Sequence, residues 1–533
     1  MKKALAGTSA LIRLILRRDR ILLPIWILWL GVLPIFTAAS WAELYPTAAE
    51  RQAFADTVGS NPALVVLYGP LFDSSVGGLT AWRMGIVPVV VALISLLTVI
   101  RHTRTEEEAG RRELLGGSVV GRNAPLAAAL TVTVAANLVL AVLLALGMIV
   151  QDLPAAGAIS FGLAFATSGC LFAAFAAVVA QLTESAGGAR GIAISVLGLA
   201  FLLRVAGDVS GEDSGWSWLS WTSPIGWAHQ VRPFADERWW IFALAAAAFV
   251  VLAAVAYALS SRRDFGAGLL PPRPGPATAS PSLRSPLALT WRLHRGLLFG
   301  WSAGFAVAGV VLGGVTEAAS QIANDNLQLQ AIFERLGGQT GLADAYLSAT
   351  MGILGFAAAG YAIQAALRLR AEETDLRAEP LLATAVGRLR WTASHLLFAV
   401  VGPAVALAVA GLATGLVHGA NTGDVGSEMP RVLAAAMVQL PAVWVLAGIA
   451  VALFGLLPRL TSLSWAALGA FVLLGLFGEL LQLEQWMLDI SPFTHIPKLP
   501  GGEVSAVPLI WLVCVAAVLT IAGLVGFSRR DVG

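Results

Sequence analysis

Glu106 to Arg122, EEEAGRRELLGGSVVGR, is a polar island between two long apolar runs, and the chain carries it twice. The second copy is Glu372 to Arg388, EETDLRAEPLLATAVGR. Aligned without a gap, the copies share Glu106/Glu372, Glu107/Glu373, Arg111/Arg377, Glu113/Glu379, Leu115/Leu381, Val120/Val386, Gly121/Gly387 and Arg122/Arg388. Unrelated segments of this length would share roughly one residue. A duplicated chain follows, organised around a paired loop.

The runs that flank the loop set the fold class. Of 533 residues, 57% are hydrophobic and only 12% charged, with a mean hydropathy of +0.78. That composition belongs to a polytopic membrane protein. Runs of about twenty apolar residues cross a hydrocarbon core of about 30 Å, and in a Gly- and Ala-rich chain only helices do so repeatedly. The expected fold is all-α, with about 12 transmembrane helices. Spans fall near 21–39, 83–100, 125–150, 157–180, 190–207 and 239–259, then near 296–315, 349–367, 392–416, 431–456, 461–480 and 507–527. Leu11, Ile12, Ile15 and Leu16 against Arg13, Arg17, Arg18 and Arg20 make the N-terminus an amphipathic helix at the membrane surface rather than a cleaved signal peptide.

Basic residues orient the spans. The N-terminus, Arg101 to Arg122, Arg190, Arg262 to Arg295, Arg368 to Arg390, Arg459 and Arg529/Arg530 fall on one side, which the positive-inside rule makes cytoplasmic. The other side holds many acids, among them Glu43, Asp56, Asp73, Asp213, Asp325 and Glu503. Both termini are then inside, which requires an even number of spans.

The duplication reaches beyond the loop. Arg17, Arg20 and Trp26 recur as Arg292, Arg295 and Trp301; Gly207-Asp208 as Gly478-Glu479; Ser223-Pro224 as Ser491-Pro492; and Ser261-Arg262-Arg263-Asp264 as Ser528-Arg529-Arg530-Asp531. This divides the chain into a first six-span half with an N-terminal elbow helix (1–264), a Pro-, Gly- and Ser-rich linker (265–286) and a second six-span half (287–533). Each half also carries external segments after its first span and before its last. The first-half copy of the latter holds Trp216, Trp218, Trp221, Trp227, Trp239 and Trp240, which read first as interfacial anchors and second as an exit gate.

Chemistry of its own is hard to find in this chain. No GxxxxGK[ST] phosphate loop, HExxH or CxxC occurs, the six histidines have no ligand spacing, and Cys170 and Cys514 sit singly in apolar runs. The net charge of +2 and the dispersed basic residues argue against nucleic acid. No catalytic, cofactor-binding or metal site is expected. The spans carry few charges, which argues against an ion relay. Arg204 lies one turn from Asp208, and Glu479 takes the matching acidic place in the second half. A structural pair near the outer surface is the first reading of these residues and an outer gate the second. The loops differ in kind: Glu and Arg beside Leu114, Leu115, Leu381 and Leu382 compose a small amphipathic helix, either a solvated helix end or a docking element for a soluble partner. Two copies on one face suit a two-fold symmetric partner.

Taken together, these motifs resemble the membrane subunit of ABC-2 type exporters, in particular the double-length permeases of the polyketide-antibiotic and tetronasin-resistance type. The resemblance covers the whole chain and rests on the Leu11 to Arg20 stretch, the loop after each second span, the Ser-Pro segments and the SRRD endings. It implies the type V, ABCG-like exporter fold. It also implies an elbow helix at the N-terminus, and a coupling helix at Glu106, Glu107, Arg111 and Glu113 and at Glu372, Glu373, Arg377 and Glu379. The partner it implies is a separate ABC ATPase subunit, as a homodimer, which holds the ATP and Mg that this chain lacks. The cargo would be hydrophobic small molecules such as antibiotics, or lipids, drawn from the cytoplasm or the membrane. The copies depart from each other at Gly110/Leu376, Leu114/Pro380 and Arg204/Gly475. Two other classes remain open at this point: an ion-coupled twelve-span secondary transporter, and a membrane scaffold or sensor.

Overall fold

The computed structural model describes residues 2–59, 62–111, 120–209, 215–264, 266–270, 277–278, 280, 283, 285–324, 341–477, 484–502 and 505–531. All regular structure among the described residues is helical, and 11 of the helices are long and apolar enough to cross a membrane. The chain is an all-α, multi-pass membrane protein. It falls into two compact units, Met1–Gly275 and Pro276–Gly533.

In the first unit the amphipathic helix α1 (Thr8–Arg18) precedes the first span, α2 (Leu22–Leu44). Three short helices follow: α3 (Ala48–Gly59), α4 (Pro62–Tyr68) and α5 (Val76–Arg83). The second span, α6 (Val87–His102), continues into the one-turn α7 (Arg104–Glu108). Then come α8 (Ala124–Ile149), α9 (Ala155–Leu182) and α10 (Ala186–Val209), the short α11 (Pro224–Gln230) and the last span, α12 (Trp240–Arg262). Pro88, Pro125 and Pro224 all stand in a first helical turn, where a missing N–H costs nothing.

Helix α9 is the axis of this unit because its side chains are small. Gly162 lies so close to the Ala141 carbonyl of α8 that a Cβ would stand 2.3 Å from that oxygen. Lipid tails are as apolar as leucine, so close approach of backbones, not hydrophobic expulsion, holds such helices together. Helices α2 and α12 lie at the rim, and their exposed Ile25, Leu28, Trp29, Phe36, Val250 and Val251 suit a lipid-facing surface.

The second unit repeats the plan. Its helices are α13 (Pro286–Asn324), α14 (Leu342–Ala366), α15 (Arg368–Thr374), α16 (Ala378–Leu382), α17 (Arg388–Thr422) and α18 (Val425–Met437). They continue with α19 (Leu440–Leu456), α20 (Leu463–Phe477), the one-turn α21 (Gln485–Leu488) and α22 (Ala506–Arg529). The span expected near 461–480 is α20, shorter than the others among the described residues.

One difference between the units coincides with a change at a single position. In the first, the chain breaks at Asp19 between α1 and α2, and the buried Asp19 carboxylate receives Arg101 and His102. In the second, amphipathic segment and first span form one continuous helix, with His294 in the place of Asp19.

Candidate functional site

The paired loop leaves the second span of each unit as a short helix. In the first unit Glu107 turns inward and is buried. Arg263, from the SRRD segment after α12, donates to both its oxygens, at 2.8 and 2.7 Å. Arg104 donates at 3.0 Å and the Gly266 N–H at 3.0 Å. Arg104 is itself fully buried and donates to the carbonyls of Glu184 and Gly266, each at 2.7 Å. Gln181 accepts from Arg263 at 2.8 Å. Arg122, at the end of the same loop, donates to the carbonyls of Ser260, at 3.0 Å, and Arg263.

The second unit builds the same arrangement. Glu373 receives two bonds from Arg530, at 2.7 and 2.8 Å, and one from Arg370, at 3.1 Å. Arg388 donates to the carbonyls of Arg530 and Ser528, at 2.7 and 3.4 Å. Here the guanidinium of Arg530 also stacks on Phe454 and Phe527, at 5.0 and 5.1 Å. Three motifs that recur separately in the sequence therefore converge at one end of each unit: the Glu-Glu pair, the closing Gly-Arg and the SRRD segment. Bidentate Arg–carboxylate pairs fix orientation as well as distance, so each loop is clamped to the last span of its own unit.

The first glutamate of each loop has another partner. Glu106 pairs with Arg111 at 3.0 Å and with Arg18 of α1; Glu372 pairs with Arg377 at 2.9 Å and with Arg368 at 2.8 Å. Arg111 and Arg377, five residues beyond their glutamates, are both more than half exposed, at 56% and 55% of the side chain. Partial burial works against the charge of Arg377, but the bond to Glu372 and the neighbouring Asp375 hold its pKa above the ordinary arginine value. Glu379 is exposed and borders an open depression with Leu382, Thr384 and Arg388. Glu113 lies outside the described residues.

The structure thus separates residues that the loop sequence presents alike. Arg111, Arg377 and Glu379 offer side chains outward, whereas Glu107 and Glu373 are spent on internal pairs. Sequence reasoning missed this inner shell, including Arg104, Arg370, Arg263 and Arg530 as its ligands. The signal was present, since the same motifs recur together in both halves.

At the opposite end of the first unit, Arg204 makes the i,i+4 pair with Asp208 that its spacing permits, but it is completely buried and does not reach out to solvent. Its guanidinium donates to the carbonyls of Val65 and Val66 in α4, at 3.1 and 2.8 Å, and to Asp208 at 3.4 Å. Asp208 accepts from Ser220 at 2.8 Å, and His229 stands 3.9 Å away. His229 bonds the Gly85 carbonyl at 2.8 Å and packs so closely over Gly69, which has a left-handed φ of +88°, that a Cβ there would stand 2.3 Å from its Nδ1. Burial pushes the pKa of His229 down to about 3, so the ring is neutral. Glu479, the matching acid of the second half, lies outside the described residues.

Little else has the makings of a reactive site. Among the described residues no three His, Cys, Asp or Glu side chains come together as a metal would require. Gly300-Trp301-Ser302-Ala303-Gly304 has the letters of a GxSxG elbow, but it lies inside the long helix α13 and not at a strand-to-helix turn.

Residues 283–528 match the family model described as the C-terminal domain of the multidrug efflux system permease Rv1217c. Over its whole length the chain is 46% identical to the multidrug efflux system permease protein Rv1217c of Mycobacterium tuberculosis, an alignment of 528 residues that covers 99% of this chain and 95% of that protein. These likenesses agree with an ABC-2 type exporter permease and lend no support to the tetronasin-resistance subtype. With 11 helices among the described residues long and apolar enough to cross a membrane and this likeness running from end to end, the chain belongs to the family of Rv1217c-type efflux permeases.

Proposed function

We propose that this chain is the membrane subunit of an ATP-driven exporter that moves hydrophobic and amphipathic compounds, drugs and antibiotics among them, out of a bacterial cell. The observation that carries the reading is the full-length likeness to a multidrug efflux permease. ATP and Mg belong to a separate ABC ATPase, as a homodimer, and this chain performs no catalytic step. The arginine-rich end of each unit is the cytoplasmic one, with both chain termini there, because Lys and Arg are retained inside.

The doubled loop supports a mechanism of energy transfer. Arg111 with Glu106, Arg377 held from behind by the buried Glu372, and Glu379 form the surface that meets the ATPase. Glu107–Arg263 and Glu373–Arg530 stand behind that surface and tie each loop to the last span. Movement of the ATPase subunits against the loops would then shift α12 and α22 as well as α6 and α14, opening the permease alternately to each side. At the outer end, Arg204 and Asp208 hold α4 against α10 as part of the gate, with Glu479 in the corresponding place.

The test is co-purification with the ABC ATPase in membrane vesicles, together with drug-stimulated ATP hydrolysis. The Arg111→Glu/Arg377→Glu double variant should lose both, since exposed charges steer and orient association. Retention of both would overturn the docking role, and export driven by a proton gradient without nucleotide would overturn the ATP-driven reading.

A further inference from the structure

We propose that the second unit carries a small-molecule pocket at the end opposite the paired loops, one that takes an uncharged aromatic compound bearing a hydrogen-bonding group. Among the described residues of the first unit the corresponding space is much smaller, about 40 Å³. The argument begins with the register between the two copies. Ser223 and Ser491 are both fully buried and both cap the turn that follows, their hydroxyls accepting from the N–H groups of Ile225 and Gly226 and of Phe493. In that register Ser220 corresponds to Leu488 and His229 to Pro497, and Gly207-Asp208 against Gly478-Glu479 sets Arg204 against Gly475.

In the first unit Arg204 and Ser220 bond Asp208 and the His229 ring stands 3.9 Å from it, so that together they fill this region and leave a cavity of about 40 Å³ beside His229. In the second unit the three counterparts have no polar side chain, and Gly475, Leu488 and Pro497 all line a cavity of about 200 Å³. Three losses of polar volume at one place leave a space where the first copy has a plug.

The walls of that space indicate its occupant. Phe356 and Phe493 lie against each other with ring centroids 4.3 Å apart, and both face the cavity. An aromatic ring stacks well on such a pair. Gln439, also in the wall, is only 6% exposed, and its carboxamide makes no hydrogen bond to a described residue. Facing the cavity without a protein partner, that amide offers a donor and an acceptor to a ligand hydroxyl or carbonyl. No carboxylate among the described lining residues would attract a cation, and Lys498 borders the space. The volume is below that of a pocket for a whole drug-sized molecule, so it suits a two-ring compound or one ring system of a larger one. Only the identification of the occupant as transported cargo rests on the export reading; binding itself does not.

The experiment uses the full-length permease in lipid nanodiscs without ATPase or nucleotide, with 2-naphthol and naphthalene as probes and empty nanodiscs as background. Wild type should bind 2-naphthol saturably and more tightly than naphthalene. Gln439→Leu should weaken 2-naphthol about tenfold, as loss of one hydrogen bond would, and leave naphthalene binding unchanged, which shows the pocket intact. Gly475→Leu should abolish binding of both probes, since a Cβ there already meets Phe356 at 2.7 Å. Absence of saturable binding by wild type, equal losses of both probes in Gln439→Leu, or unchanged binding in Gly475→Leu would each overturn the proposal. Failure of the export reading would appear separately, in the vesicle assay, because this binding requires no energy source.

Discussion

Glu107 and Arg263 stand 156 positions apart in the chain and share two hydrogen bonds, at 2.8 and 2.7 Å; Glu373 and Arg530, 157 apart, repeat the contact at 2.7 and 2.8 Å. The loop after each second span is thereby joined to the end of each sixth. Removing one partner from such a buried pair leaves a charge without compensation, which costs about 3–5 kcal/mol. Glu107→Ala and Arg263→Ala should each lower the melting temperature of the purified permease, while the double variant loses less than the sum. Additive losses would mean that the pair is not coupled.

A smaller gain is expected at the tip of the second loop. Gly110 and Leu376 occupy the same place in the two copies and the same left-handed backbone, with φ of 69° and 56°. Glycine adopts this conformation freely, whereas a residue with a Cβ is strained there by about 1–2 kcal/mol. Leu376 is exposed, so little packing is lost when it is trimmed. Leu376→Gly should raise stability by about 1 kcal/mol, less the chain entropy that glycine adds. Thermal unfolding that moves the other way would show that the leucine makes a contact outweighing its strain.

Arg204 anchors the external segment through the carbonyls of Val65 and Val66. With Arg204→Met the stem volume stays, but those carbonyls and Asp208 lose their donor, at a cost of about 3 kcal/mol or more. Limited proteolysis should then cut within residues 45–75 much faster than in wild type. Unchanged digestion would remove this anchoring role.

His229 gives the outer end a pH dependence. Its folded pKa, about 3, lies below the ordinary histidine value of 6.5 because burial disfavours the charged ring. The unfolded chain therefore binds the extra proton first. The stabilising contribution is fully present above pH 6.5 and is lost as pH falls toward 3, at about 1.4 kcal/mol per pH unit between those values. Melting curves of wild type and His229→Asn should converge as pH falls from 7 to 5; curves that stay parallel would contradict it.

How far the sequence could be read depended on the range of the interactions. Eleven of the expected spans, from 21–39 in α2 to 507–527 in α22, coincide with helices long enough to cross, and 461–480 with the shorter α20, because a membrane helix satisfies its backbone within itself and declares itself by local hydropathy. The loop that opened the reading is also where expected, but its charges look equivalent in one dimension. Glu106 and Glu107 are neighbours in sequence, yet one faces Arg111 and Arg18 while the other is enclosed by Arg104 and Arg263.

From its sequence alone this protein is a duplicated all-helical membrane chain, with its spans and paired loops located, since these are properties of contiguous residues. The tertiary structure alone decided that Glu107 of the first loop and both glutamates of the second are buried, where Arg204 sends its guanidinium, and that Gly475, Leu488 and Pro497 line a common space. The physical reason is that a buried charge or a cavity is defined by the groups that packing brings to it, and here those groups come from positions far apart in the chain.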